Sequence, residues 1–333
     1  MLGLFLAALT AVTDFGPNPG ALDMYEYVPA DLPANAPLVV VLHGCTQTAS
    51  AMETAGWNAL ADARHFAVLY PQQRSANQPL SCFTWYQAAD ISRDMGEAAS
   101  IIAMVDHELA AHSLDRSRVY VTGMSAGGAF TAVMLAAYPD RFAAGSVMSG
   151  IAYGCATDVQ SATSCEQGAD KTPAQWGDLV RAADPSFTGP WPRVQIWQGS
   201  SDTTVAPGNA HALVDQWTNV QGADGTAEST ETVSTATYTT YAGGGVELYM
   251  VNGMGHDIAT GADALGTCPA TTGAFFADEK ICSTLRAAAF FDLAGTGSDG
   301  TSPPGEAKHG GGCNAVGSPG LLLALLVVRR RRR

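Results

Sequence analysis

The sequence predicts an α/β domain with a mostly parallel sheet flanked by helices, and three observations carry that prediction. Between about residues 21 and 293, short apolar runs alternate with helical stretches, the pattern of strands that take turns with helices. Pro37 is followed by Leu-Val-Val-Val-Leu, an unbroken apolar run suited to a strand buried on both faces. Arg118–Thr122 (RVYVT) leads directly into a Gly-rich turn and an Ala-rich segment, a strand–turn–helix unit.

Each element follows from its own pattern. Leu22–Val28 (LDMYEYV) alternates like an amphipathic strand, and Phe66–Tyr70 (FAVLY) reads as a buried strand that ends at Pro71. Asp94–Leu109 carries Ile101, Ile102, Val105 and Leu109 at helical spacing. Ser125–Tyr138 is Ala-rich and helical, stopping before Pro139. Ala143–Met148, Arg193–Gln198 and Val246–Val251 supply further strands. Thr226–Tyr241 is dense in threonine and reads as a solvent-facing β excursion or an ordered insertion.

Composition narrows the function. Of 333 residues, 47% are apolar and 14% charged, enough for one sizeable core. No internal apolar run reaches the roughly 20 residues of a spanning helix, which excludes a polytopic membrane protein. The formal charge is −14, and Arg329–Arg333 hold five of the 17 basic residues, so the body lacks the basic face of a nucleic-acid binder. His107 and His112 show no metal-ligand geometry at helical spacing, and no metal or cofactor is expected.

Cysteine usage and both ends of the chain point to export. Seven cysteines occur without a CxxC pair: Cys45, Cys82, Cys155, Cys165, Cys268 and Cys282 in the body, and Cys313 in the tail. Six body cysteines can form three disulfides, with connectivity left open by the sequence. MLGLFLAALTAV has the length of a signal-peptide apolar region, though no basic residue precedes it. Residues 295–312 are rich in Gly, Ser and Pro and read as a flexible linker. Beyond Cys313, the stretch Ala315–Val328 spans about 21 Å as a helix, short of a hydrocarbon core of about 30 Å. Five arginines follow it. Gly312-Cys313, the apolar segment and the Arg cluster together resemble the C-terminal sorting tags of gliding predatory bacteria (the MYXO-CTERM type). That resemblance implies processing near Cys313, delivery to the cell surface and transient contact with membrane or sorting machinery.

The chemistry centres on Gly123-Met124-Ser125-Ala126-Gly127, a G-x-S-x-G motif between a strand and a helix. Such a turn holds a serine hydroxyl clear of the backbone, with the Ala126 amide at the helix start available to an oxyanion. The serine needs a base, and the base an orienting carboxylate. His256 lies in Asn252-Gly-Met-Gly-His256, a Gly-rich loop past a strand, whereas His211 sits in a helix-like stretch and His309 in the linker. Asp202 follows the strand RVQIWQ. Asp257 is the rival acid, but as the immediate neighbour of His256 it points away from the ring. The second oxyanion donor is expected in His43-Gly44-Cys45-Thr46-Gln47, from the amide of Cys45, with His43 structural.

At these residues the chain resembles the poly(3-hydroxybutyrate) depolymerase family esterases, which are similar to feruloyl and acetylxylan esterases. The blocks that carry the likeness are FGPNPGALDMYEYVP, APLVVVLHGCTQTA, the region from Cys82 to Trp85 with GEAASI, RVYVTGMSAGGAFTAVMLAAYPDRFAAGSVMSGIAYGCA, and NGMGH. The resemblance covers roughly residues 15–293. It implies an α/β-hydrolase fold with Ser125 as nucleophile, Asp202 as acid and His256 as base. It also implies oxyanion amides from Cys45 and Ala126, and disulfides Cys45–Cys82, Cys155–Cys165 and Cys268–Cys282. One departure stands out: family members often carry Trp shortly after the histidine, whereas this chain reads His256-Asp257-Ile258-Ala259.

The expected organisation is a signal peptide over residues 1–14, a catalytic domain over 15–294, the linker 295–312 and the tag 313–333. The expected activity is that of an exported serine esterase on short-chain polyhydroxyalkanoate polymer or oligomers, with feruloyl or acetylxylan esterase as the alternative substrate class. A non-catalytic surface-binding protein on the same scaffold is the alternative of another kind.

Overall fold

A computed structural model describes residues 9–263, 266–268 and 270–293. Along the chain, β1 (Thr10–Val12), β2 (Asp23–Tyr27) and β3 (Leu38–Leu42) are followed by α1 (Ala49–Glu53), α2 (Trp57–Arg64) and β4 (Ala67–Gln72). Next come α3 (Ala88–Ile91), α4 (Gly96–Ala111), β5 (Val119–Met124), α5 (Ala126–Ala137) and β6 (Ala144–Met148). Helices α6 (Val159–Glu166) and α7 (Pro173–Ala183) lead to β7 (Arg193–Gly199) and α8 (Gly208–Val220). The last strands are β8 (Ser229–Val233), β9 (Ala236–Tyr241), β10 (Val246–Val251), β11 (Ile258–Thr260) and β12 (Phe276–Asp278), before α9 (Ser283–Phe290).

Ten strands form one sheet in the order β1-β2-β4-β3-β5-β6-β7-β10-β9-β8. The six from β4 to β10 are parallel, and antiparallel pairs lie at both edges. The chain winds from β3 to β4 and then to β5 on the other side of β3. That reversal opens a crevice at the carboxyl ends of β3 and β5, where α/β sheets bind ligands. Ile101, Val105, Phe130, Trp176, Leu213 and Trp217 pack on one face of the sheet. Trp57, Leu60, Phe66 and Phe291 pack on the other. Every residue of α5 is buried, which is why this helix is built almost wholly of small and apolar residues. Local signals set the helix starts: Thr172 and Asp158 each form a capping box, and Pro173 opens α7.

Three expectations shift. β4 continues through Pro71, which opposes Met24 of β2 beyond the last register pair with β3, Val40 with Leu69. No ladder donor toward β3 is needed there, so proline is tolerated. The Thr-rich segment is neither an insertion nor wholly solvent-facing. It is the β8–β9 hairpin that extends the main sheet, with β8 exposed and β9 largely buried against β10. The segment read as a leader overlaps the sheet, because Thr10–Val12 pairs with Met24–Glu26 as an edge strand. Three residues suffice for that ladder, and an apolar-run reading does not reveal it. The linker 295–312, Cys313 and the tag 313–333 lie outside the described residues. Among the described residues, no helix is long and apolar enough to cross a membrane.

Candidate active site

Ser125 occupies the junction between β5 and α5 with φ 58° and ψ −122°, a conformation that non-glycine residues rarely adopt. Two backbone bonds hold it there: its N–H donates to Met148 O at 2.9 Å, and its carbonyl accepts from Ala129 N–H at 2.8 Å. The motif's second glycine answers to β3 rather than to the serine. A Cβ on Gly127 would lie 2.3 Å from Leu42 O and 2.5 Å from His43 O. Glycine at 127 thus lets α5 start against the end of β3, which brings the His43–Gln47 turn beside Ser125.

The loops after β7 and β10 deliver the other two groups. Ser200 N–H donates to Val251 O and Ser201 N–H to Met254 O, so the two loops are stitched together. Gly199 permits that closeness, since a Cβ there would fall 2.3 Å from both Met254 O and Gly255 O. Asp202 and His256, distant in sequence, therefore meet. His256 Nδ1 lies 2.7 Å from Asp202 Oδ2, and its Nε2 lies 2.8 Å from Ser125 Oγ. The Asp202 carboxylate is wholly shielded, while the His256 side chain is 11% exposed.

Asp202 is held ionised and fixed in orientation. Its Oδ1 accepts from the Thr204 and Val205 amides, both at 2.9 Å, and its Oδ2 accepts from Gln198 Nε2 at 3.1 Å as well as from the ring. Burial alone would raise this acid. The His256 bond and charge, with the two amides, outweigh burial and keep it below the usual carboxylate range. A carboxylate so held fixes the Nδ1–H tautomer of His256, which leaves Nε2 free to accept the serine proton. Asp257 does not occupy the Nδ1 position.

The His43–Gln47 turn, where the second oxyanion donor is expected, is braced. Gly44 N–H donates to Gln47 Oε1 at 2.8 Å and Thr46 N–H to Leu80 O at 2.7 Å, whereas the Cys45 amide makes no hydrogen bond within the described residues. The Ala126 amide, first of α5, lies where a helix leaves its N–H groups without intrahelical partners. Cys45–Cys82 ties the turn to the loop after β4. Cys155–Cys165 and Cys268–Cys282 complete the disulfides, in the pairing that the family resemblance implies.

His43 is structural. Its Nδ1–H donates to Gly44 O at 2.7 Å, and its Nε2 accepts from Gln73 N–H at 3.0 Å. Burial pushes the ring down to about 4 despite the Gly44 carbonyl, so it stays neutral. Gln73 in turn donates to the buried Glu97, which also accepts from Thr84 N–H at 2.9 Å and Thr84 Oγ1 at 2.8 Å. A buried polar chain from His43 to Thr84 thus backs the turn and the loop to which Cys45 is bonded.

Residues 23–236 match the family described as Esterase PHB depolymerase. The chain belongs to this esterase family. It is 48% identical to poly(3-hydroxyalkanoate) depolymerase C of Paucimonas lemoignei over 86% of this chain and 71% of that protein. It is 38% identical to feruloyl esterase B of Thermothelomyces thermophilus over 75% of this chain and 88% of that protein. Among solved structures, the acetyl xylan esterase from Aspergillus awamori superposes with a TM-score of 0.74 at 29% identity, covering 86% of this chain and all (100%) of that one. The fold is that of the α/β-hydrolase esterases, and the PHB depolymerase family member described here is a carboxylic ester hydrolase. That finding removes the alternative of a non-catalytic binding protein.

The esterase's Ser125, His256 and Asp202 converge, Ala126 follows the serine in the chain, and Gly44, the neighbour of Cys45, approaches it closely. His211 lies exposed on α8, apart from the site. Sequence reading missed Phe275, whose ring stands edge-on to His256 with centroids 6.4 Å apart and planes at 87°. It supplies an aromatic neighbour to the histidine. Its place in the chain, next to β12, gives no signal of that role. Gln73 and Glu97 were missed as well, because their function lies in a network that spans three loops.

Proposed function

We propose that this chain is an exported serine esterase that hydrolyses short-chain polyhydroxyalkanoate polymer or its hydroxybutyrate oligomers through an acyl-enzyme. The reading rests on one observation above all: the unbroken Asp202–His256–Ser125 hydrogen-bond relay, at 2.7 and 2.8 Å, on a strained turn. Ser125 Oγ attacks the ester carbonyl carbon as His256 Nε2 takes its proton. The carbonyl oxygen, now an anion, accepts from the Cys45 and Ala126 amides. Collapse breaks the bond to the alkoxy group, which leaves as an alcohol with the proton from His256. A water, deprotonated by the same ring, then attacks the acyl-serine, and the acid departs with Ser125 restored.

The polyester substrate is supported by the higher identity to a protein named as a poly(3-hydroxyalkanoate) depolymerase. A feruloyl or acetylxylan ester is the second reading, favoured by the superposition on an acetyl xylan esterase. Export is supported by the three disulfides, which persist in oxidising compartments. The deciding experiment compares kcat/KM for a hydroxybutyrate trimer, methyl ferulate and acetylated xylan. The trimer is expected to lead; an acetylated xylan or ferulate rate above it transfers the assignment to the second reading.

A further inference from the structure

Helix α4 ends on a side-chain group that the ester chemistry does not use. Its C-terminal cap, His112, donates its backbone N–H to Glu108 O one turn back, so the two side chains share a face. Tertiary structure adds Glu26 from β2, 86 residues away in sequence from His112. His112 Nε2 lies 2.9 Å from Glu26 Oε2 and 3.8 Å from Glu108 Oε2, and one ligand atom from each residue falls within 4.8 Å of the other two. Helical spacing joins only two of the three, which is why His112 shows no metal-ligand geometry in the sequence.

We propose that Glu26, Glu108 and His112 form a zinc site that pins the end of α4 to β2. The second observation behind this is Glu108 itself. Its side chain is 0% exposed, and no N–H or hydroxyl group donates to either carboxyl oxygen, which has the Glu26 carboxyl and the His112 ring as neighbours. A buried carboxyl that faces another carboxyl and receives no N–H or hydroxyl donor is costly, and this one sits at the negative end of a helix dipole. No lysine or arginine among the described residues pairs with either acid.

A divalent cation supplies what is missing. Two carboxylates neutralise its charge, and a neutral imidazole completes three protein ligands. In a tetrahedral shell with bonds of about 2.0 Å, ligand atoms stand about 3.3 Å apart, and the two separations at His112 Nε2 bracket that value. An imidazole with two carboxylates suits zinc, whereas calcium takes six to eight oxygens. The Glu26 and His112 side chains are 16% and 26% exposed, so a water can hold the fourth position. The site is structural, because it lies at the end of α4 remote from Glu97, about 17 Å away along the helix. Glu97, not Glu108, borders the braced turn.

The test uses the full chain, stripped with a chelator, free of any histidine tag, and titrated calorimetrically with zinc chloride and separately with calcium chloride. One zinc per chain is expected, with micromolar or tighter affinity and a melting temperature that climbs with zinc concentration. Glu26→Gln and Glu108→Gln should each weaken zinc at least about tenfold and leave ester hydrolysis unchanged. His256→Ala should bind zinc as wild type does, which separates this site from the catalytic histidine. Absence of stoichiometric zinc binding overturns the proposal, as does zinc binding that survives both glutamine variants or calcium binding in zinc's place. A Glu108→Gln protein that melts higher while zinc affects neither protein identifies a proton-sharing carboxyl pair instead.

Discussion

Replacing Asp202 with asparagine keeps the shape of the relay and reverses one donor. The two amides of Thr204 and Val205, each 2.9 Å from Oδ1, demand an acceptor, so the asparagine oxygen must take that side. Its NH2 group then replaces Oδ2, 2.7 Å from His256 Nδ1, and donates to the ring, at the loss of one acceptor for Gln198 Nε2. A ring that accepts at Nδ1 carries its proton on Nε2, aimed at Ser125 Oγ, and cannot take the serine proton. Flipping the amide does not rescue it, because the NH2 would face two N–H groups. In a serine protease triad of the same design this swap costs about 10⁴ in turnover, or about 5 kcal/mol of transition-state stabilisation at about 1.36 kcal/mol per tenfold. The assay is kcat and KM with nitrophenyl butyrate beside a thermal melt, with Asp257→Asn as control. The expected result is a loss of about 10⁴ in kcat with little change in melting, and near wild-type turnover for Asp257→Asn. A variant within tenfold of wild type, or a larger loss at Asp257, would falsify the orientation argument.

Three further outcomes are expected. Ser125→Ala should lose roughly 10⁶ in turnover while the melting curve stays cooperative; turnover within tenfold of wild type would remove Ser125 as nucleophile. Replacing Cys45 and Cys82 with alanine opens a loop of 37 residues and should cost about 4 kcal/mol, against about 3 kcal/mol for Cys155 and Cys165, separated by 10. Denaturant melts of both double variants check the order, and a reversed order would refute the loop-entropy account. Burial pushes Glu97 up from 4.5 to about 7 against the bonds from Thr84 and Gln73. The folded chain therefore holds this proton more tightly than the unfolded chain. Its contribution is full below about pH 4.5 and is lost as pH rises to about 7, worth up to about 3 kcal/mol. Melting temperatures of wild type and Glu97→Gln across that range should diverge in slope, and parallel curves would rule the effect out.

The sequence alone determined the elements whose cause is local. The Leu38–Leu42 run, the RVYVT strand and the Ala-rich helix after Ser125 are strands and helix because apolar period and side-chain size act over a few residues. That Ser125, His256 and Asp202 meet was legible for a related reason: each sits on a Gly-rich or polar loop directly past a strand, so topology alone sends it to one edge of the sheet. The cysteine pairs were legible only through family likeness. What tertiary structure decided is whatever needs two distant segments at once. Pro71 stays in a strand because β3 has already ended beside it, and Thr10–Val12 becomes a strand because β2 offers an unpaired edge. Phe275 beside His256, the His43–Gln73–Glu97–Thr84 chain, and Glu26 against Glu108 and His112 all join residues whose spacing in sequence carries no period. Side-chain contacts of that kind are set by how sheet and helices pack, and packing is a property of the whole core.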